Sequence, residues 1–438
     1  MRVTILTMGS RGDVHPYVAL GRGLARAGHR VTVATLEPFR DVVERHALRF
    51  HPLPDPLAGL KSSEGWVRWQ SSDAGLWAKL RGLHRTLQTA GDALHVNFDA
   101  CHDACRNADA VLSAFPAIAG PAAAARLDIF HAWALVQPFT PTAAFPHCLS
   151  PFNASRGAVV NRATYRVADV GFAWCFGSSL ARWRDSGPVN GKTRPPVRHP
   201  GADGTPVLYG FSPLMLPAKL DWAPNVHVTG YWPLDDQVDW SAPDALRTFL
   251  DAGARPICVC HGSITGWTDR RAALGIIRDA VDRAGARAVI VSDCAGPTPQ
   301  RPSDSTMVVD WAPAEWLFPR VRLVVHHGGA GTTGATLRAG RPSVVLPSCF
   351  DQPFWADRLN RLGVASAPLR PSSLDARELA ARIRDAAGAG RERAAARCAE
   401  QLSREDGIRS AIEWLERYVP AAASGVRQDS RSAATTNV

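Results

Sequence analysis

Two stretches of the chain share one rhythm of apolar and polar positions. The first runs "RVTILTM" (2–8), "YVALGRGLARAG" (17–28), "RVTVAT" (30–35), "PFRDVVERHA" (38–47) and "LRFHPL" (48–53). Short continuous apolar runs separated by segments of helical period predict parallel strands covered by helices on both faces. "ADAVLSAFP" (108–116) and "IFHAWALVQPF" (129–139) extend the sheet around an alanine-rich helix, and "VLYGFSPLML" (207–216) and "VHVTGYW" (226–232) add two short strands. Residues 155–183 predict a long amphipathic helix. The rhythm lapses in "PLDDQVDWSAPDAL" (233–246) and restarts with "PICVCHGS" (256–263), "RAVIVSD" (287–293), "TMVVDWAP" (306–313), "VRLVVHHGG" (321–329) and "PSVVLPS" (342–348), with helices between and after them. The pattern predicts two doubly wound α/β domains, residues 1–235 and 236–404. An amphipathic helix over 405–419 and a polar, small-residue tail over 420–438, expected to be disordered, complete the chain.

Composition narrows the class. A length of 438 residues with 46% hydrophobic content fits more than one core. No run approaches the ~18 apolar residues of a membrane span, and the opening "MRVTILTMGS" is too soon broken by glycine for a signal peptide. Nine cysteines, odd in number and scattered, argue for a reducing compartment, so the chain reads as cytoplasmic. Cys101 and Cys105 with His102 between them lack a second ligand cluster, and Cys258 and Cys260 share one face of a strand; neither pair assigns a metal. The net charge of +10 is spread thinly, without the basic runs and interleaved aromatics of a nucleic-acid binder. A peripheral contact with a membrane surface stays open, as does the oligomeric state.

Ligands of open α/β sheets sit at the carboxyl ends of the strands, so the strand-to-helix turns carry the candidate chemistry. In "HHGGAGTTG" (326–334) Gly328, Gly329 and Gly331 permit close backbone approach, and Thr332 and Thr333 open a helix. Free N–H groups, the helix dipole and His327 there suit a diphosphate without a metal ion. One βα unit later, "DQP" sets Asp351 and Gln352 at a helix start, where a carboxylate and an amide can meet sugar hydroxyls. The first turn, "MGSRGDVHPY" (8–17), carries Asp13 where a phosphate would want positive charge. Asp13 is a candidate base, or a helix cap; His15 is the rival base, and Arg11 can orient Asp13 or touch a donor. Trp66, Trp69 and Trp77 lie in an irregular stretch read equally as an acceptor-binding loop or as a cover for the core.

"HHGGAGTTGATLRAGRPSVVLPSCFDQPFWADR" resembles the nucleotide-sugar-binding stretch of family 1 glycosyltransferases of the GT-B fold. "GSRGDVHPYVAL", "QPFTPTAAFPH", "YGFSPLMLP" and "NVHVTGYW" resemble in particular the sterol 3-β-glucosyltransferase-like branch and its bacterial antibiotic and lipid relatives, over residues 1 to about 418. The resemblance implies two Rossmann-like domains facing across a cleft, with the C-terminal helix packed back on the first. It implies an inverting hexosyltransferase, taking a hexose such as glucose from a UDP-sugar or dTDP-sugar to a hydroxyl of an apolar acceptor, with no further cofactor. By it His327, Thr332 and the backbone of Gly329, Ala330 and Gly331 hold the diphosphate, Gly262 and Ser263 flank the phosphates, and Trp311 stacks the base. Asp351 and Gln352 hold the sugar, Ser292 and Asp293 lie near the nucleoside, and Asp13 is the base. This chain departs from relatives at His261, where they have an aromatic, and at Ala314 and Glu315, where they often have His or Gln and then Asp. Two other classes compete. A dinucleotide-dependent oxidoreductase requires a G-x-G-x-x-G that "GSRGDV" lacks, and a catalytically silent GT-B scaffold would bind the donor without turnover.

Overall fold

The computed structural model describes residues 1–55, 91–115, 117–150, 152, 154–185, 199–201, 203–235, 240–260, 270–292, 296, 298–371 and 374–419. Trp66, Trp69, Trp77, His261, Gly262, Ser263 and Asp293 lie outside these residues. Seven parallel strands form one sheet: β1 (Arg2–Leu6), β2 (Arg30–Thr35), β3 (Arg49–Pro52), β4 (Ala110–Ser113), β5 (Phe130–Leu135), β6 (Val207–Tyr209) and β7 (Val226–Val228). Their order is β3-β2-β1-β4-β5-β6-β7, with Leu6 opposite both Ala34 and Ser113. β1 and β4 bury nearly every side chain, which is why their sequences read as continuous apolar runs and not as alternations.

The second sheet holds β8 (Ile257–Cys260), β9 (Ala288–Val291), β10 (Gln300–Ser303), β11 (Thr306–Val309), β12 (Val324–His326) and β13 (Ser343–Val345). Their order is β10-β11-β9-β8-β12-β13, all parallel except β10, which pairs antiparallel with β11 at the edge. β10 contains Pro302 and polar neighbours, an edge composition without apolar periodicity. Strand order reverses at β1/β4 and at β8/β12, and the crevice at such a reversal is where open sheets take ligands. Both candidate turns, residues 7–13 after β1 and 327–330 after β12, therefore lie at switch points.

Five helices position the site: α1 (Arg11–Arg26), α2 (Ala158–Asp185), α3 (Ala330–Arg338), α4 (Gln352–Arg361) and α5 (Gly407–Tyr418). A shared apolar cluster joins the two sheets' helices. The Tyr231 ring occupies the space over Gly334 of α3, Phe145 meets Phe354 of α4 at 5.2 Å, and Arg358 Nε donates to Met215 O at 2.6 Å. α5 packs back on the first domain as expected. Asp406 caps it, Trp414 and Leu415 are buried, and Ile408 fills the space over Gly23 of α1, where a Cβ would lie 2.2 Å from Ile408 Cγ2.

α2 departs from the amphipathic expectation. Asn161, Tyr165, Cys175, Leu180 and Trp183 are buried on one side, while Val159, Val167, Val170 and Trp174 are exposed on the other. Apolar side chains on both faces cancel the one-sided pattern of an ordinary surface helix.

Candidate active site

The first turn closes on itself. Gly9 takes a φ of +130°, and a Cβ there would lie 2.5 Å from Asp13 Oδ2, so only glycine lets the carboxylate fold back. Asp13 Oδ2 accepts hydrogen bonds from Ser10 N at 2.9 Å and Ser10 Oγ at 2.8 Å. Ser10 and Asp13 are thus the two ends of a capping box, which occupies the start of α1 with a negative charge. Asp13 is therefore held in one orientation, half-buried at the carboxyl end of β1.

The second turn is open. His326 Nδ1 accepts from Gly328 N at 3.1 Å, and burial beside His327 holds its pKa near 3, so it is a neutral structural ring. Burial also holds His327 down to about 4. The His327 ring lies over Gly329, where a Cβ would sit 2.3 Å from Nε2, and Nδ1 is buried without a partner. Gly329 is the N-cap of α3 with no side chain capping the helix, and the first rung of the helix is Thr333 N to Gly329 O at 2.9 Å. The N–H groups of Ala330, Gly331 and Thr332 precede that rung. Nothing lies within 4 Å of a Cβ at Gly331. A helix start with free N–H groups, no acid and open space receives anions.

Asp351 is the N-cap residue of α4 and is almost fully buried. Burial pushes its carboxyl up to about 7; the hydrogen bond from Trp355 Nε1, 2.7 Å from Oδ2, opposes the rise, and the charge of Asp13 adds to it. The two carboxylates, one from each domain, therefore act on each other across the cleft. Gln352 is placed differently from its neighbour. Its Oε1 accepts from Ser348 N at 2.9 Å and Ser348 Oγ at 3.0 Å, which commits the oxygen to its own turn.

A cleft of about 790 Å³ separates the domains, within the range of ligand pockets. Arg11, His15, Tyr231 and Trp232 line it from the first domain, and Trp311, Glu315, Gly331, Thr332 and Arg338 from the second. His15 faces the cleft despite Pro16 following it. Asp13, His327, Asp351 and Gln352 are not among the lining residues. The Arg11 guanidinium lies 5.7 Å from the centre of the Trp311 ring, reaching across the cleft, and Trp240 meets that ring edge-on at 6.0 Å. Glu315 accepts from Arg338 at 3.1 Å, and burial lowers the pKa of Arg338, which also lies 5.7 Å from the Tyr231 ring. Sequence reasoning missed Arg338. Its signal was present, since Gly331, Ala335 and Arg338 at i, i+4, i+7 share one face of α3, and all three line the cleft. Ser292 is buried, its N–H bonded to Val309 O.

Among the described residues no group of three or more His, Cys, Asp and Glu side chains is placed to hold a metal. Cys101 and Cys105 are buried, and burial raises both thiols, which marks them as packing groups. Cys258 and Cys260 lie side by side at 4.0 Å on β8.

Residues 3–145 match the Glycosyltransferase family 28 N-terminal domain, and residues 275–407 match the Erythromycin biosynthesis protein CIII-like C-terminal domain. Each half of the chain thus carries a match to a known domain family, a glycosyltransferase one in the first half. A sterol 3-beta-glucosyltransferase of Cryptococcus neoformans is 31% identical over 98% of this chain, which spans 28% of that relative's own length. The sterol 3-beta-glucosyltransferase of Arabidopsis thaliana is 29% identical over 97% of this chain and 67% of its own. The chain thus spans less than a third of the fungal relative's length. Among solved structures, the glycosyltransferase SnogD of Streptomyces nogalater superposes with a TM-score of 0.64 at 22% identity, over 96% of this chain and all of that one (100%). The glycosyltransferase VinC in complex with dTDP superposes with a TM-score of 0.66 at 20% identity, over 96% and 99% of the two chains. These likenesses establish the GT-B fold, two Rossmann-like domains facing across the cleft.

Proposed function

We propose that this chain transfers a hexose, in the first instance glucose from UDP-glucose, to a hydroxyl of an apolar acceptor such as a sterol-like lipid or natural-product aglycone, with inversion at the anomeric carbon. One observation carries the reading: an open helix start at Ala330–Thr332 and an oriented carboxylate at Asp13 occupy the facing switch points of the two sheets. The names of the sterol 3-beta-glucosyltransferases support the donor and acceptor classes.

In this mechanism the acceptor oxygen attacks the anomeric carbon as its proton passes to Asp13, and the bond from that carbon to the diphosphate oxygen breaks. The electron pair leaves on the nucleoside diphosphate. The N–H groups of residues 330–332, the Thr332 hydroxyl and His327 stabilise the charge that develops there. Burial favours the neutral His327 ring, whose one N–H can donate to the diphosphate, and a nearby anion would raise its pKa. Trp311 stacks the base, Gly262 and Ser263 flank the phosphates, and Asp351 and the Gln352 amide nitrogen meet the sugar hydroxyls. The diphosphate is neutralised by backbone and imidazole, so the transfer is proposed to run without a metal ion or further cofactor. Trp66, Trp69 and Trp77 are assigned to the acceptor side. The scattered cysteines, with Cys101, Cys105, Cys148, Cys175 and Cys398 free thiols in buried positions, support a reducing, cytoplasmic setting.

The test is incubation of the chain with UDP-glucose or dTDP-glucose and a panel of sterol and polyketide alcohols, read by mass spectrometry and by the anomeric configuration of the product. An inverted glycoside on at least one alcohol is expected. Donor-induced thermal stabilisation with no product on any acceptor would establish the silent scaffold instead.

A further inference from the structure

We propose that Cys260 is a site of reversible modification by low-molecular-weight disulfides, and that a mixed disulfide there shuts the nucleotide out of the cleft. Cys260 is the last residue of β8, half-buried, and among the described residues it is the cysteine that lines the cleft. Its place is set by register. Val291 lies opposite it on β9, and Val309 lies opposite Val291 on β11, the strand that runs on to Trp311. On the other side Val259 lies opposite Val325 on β12, the strand that runs on to His327 and the open helix start. With neighbouring strands about 4.8 Å apart, Cys260 stands one spacing from the strand of the diphosphate turn and two from the strand that leads to Trp311. A group attached to its sulfur therefore lies between the positions proposed for the phosphates and for the base.

A second thiol supports it. Cys258, two residues earlier on the same face of β8, is fully buried, with its sulfur 4.0 Å from Cys260 Sγ. The contact with Cys260 and burial both raise the Cys258 thiol, so Cys258 keeps its proton and offers an S–H to the Cys260 sulfur. In the exchange the Cys260 sulfur attacks one sulfur of the disulfide and bonds to it. The reagent's own S–S bond breaks, and its other half leaves as a thiolate that takes up the proton Cys260 gave up. Cys258 does not carry out a second exchange. Alternate residues of a strand lie about 6.6 Å apart at Cα, near the upper limit for a disulfide, and β8 is held by β9 on one side and β12 on the other. The mixed disulfide is thus the end state, and excess thiol reverses it. In a reducing setting the site is silent, and a rise in disulfide closes the cleft to the nucleotide. The inference rests on the nucleotide site proposed above.

The experiment is calorimetric titration of UDP into the full chain before and after treatment with glutathione disulfide, with the modified residue mapped by peptide mass spectrometry. Untreated chain is expected to bind UDP. Treated chain should carry a glutathionyl group on Cys260 and lose UDP binding, and a thiol reductant should restore it. UDP present during the treatment should protect Cys260, a result that needs no variant. Cys260→Ser should bind UDP equally before and after treatment, whereas Cys349→Ser, which removes the other half-buried thiol among the described residues, should stay sensitive. Equal UDP binding by wild-type chain before and after Cys260 is modified would overturn this inference alone. So would loss of UDP binding in treated Cys260→Ser, or failure of Cys260 to react. Absence of UDP binding to the untreated chain would instead overturn the proposed donor site, and this inference with it.

Discussion

At residues 7–13 and again at 326–332 a buried strand runs through glycine into a helix, yet the first helix start is shut by its own side chains and the second is left open. In the first, Asp13 folds over Gly9 and accepts from Ser10, which sets an acid where N–H groups would otherwise receive an anion. In the second, Gly329 brings no side chain to the cap, and the glycine at 331 faces empty space. The glycines also differ in purpose. Gly9 and Gly329 make room for a neighbouring side chain, Asp13 in one turn and His327 in the other, while Gly331 leaves open space before the helix start. In the proposed function, cap chemistry and not glycine count separates the site for a proton from the site for a phosphate.

The largest effect is expected from the first turn. Asp13→Asn keeps an oxygen to accept from Ser10, so the helix cap survives, and turnover should fall by about 10²–10⁴-fold, the usual worth of a positioned base. Near-wild-type transfer would mean that the closed turn is only a cap and would shift the role to His15.

The second turn is broken by putting the first turn's charge into it. Gly331→Asp meets no steric obstacle and places an acid at a helix start, which the dipole favours. Its melting temperature should hold or rise, while its affinity for UDP should drop by at least about tenfold, or about 1.4 kcal/mol. A variant that binds UDP normally would move the diphosphate elsewhere.

Next is the electrostatic link between the domains. The Asp351 carboxyl in the fold has a pKa near 7 against 3.8 for an unconstrained one, so the folded chain holds that proton more tightly than the unfolded chain does. Its contribution to stability is complete below pH 3.8 and is lost as pH rises through about 7. Asp351→Asn should flatten the fall in urea midpoint across that window, and a slope identical to wild type would contradict the burial argument. The smallest effect belongs to Arg11→Ala. The guanidinium-to-indole contact across the cleft is worth about 0.5–1 kcal/mol, so UDP affinity should weaken no more than about fivefold, with the transfer rate of the saturated enzyme unchanged.

Much of this comparison was legible before any coordinates. Parallel strands buried on both faces announce themselves as apolar runs, and β1, β2, β4, β5 and β12 all do. β10 does not, because a polar edge strand containing Pro302 has no apolar period to detect. α2 misled for a related reason. Periodicity tells which residues share a face but not which face meets the core, and here both faces are apolar. At the site, the open turn was visible as glycines before threonines. The closed turn's capping box was also in plain view as Ser10 and Asp13 three residues apart. The occupation of Gln352 Oε1 by Ser348, the reach of Arg11 to Trp311 and the pairing of Glu315 with Arg338 depend on three-dimensional approach, which no single stretch encodes.

The central claim is that the two turns divide the work, base in one and diphosphate in the other. Calorimetric titration of UDP into wild type, Asp13→Asn and Gly331→Asp tests it most directly. The account predicts equal affinity for wild type and Asp13→Asn, and loss of binding in Gly331→Asp. Loss of UDP binding in Asp13→Asn with full binding in Gly331→Asp would contradict it.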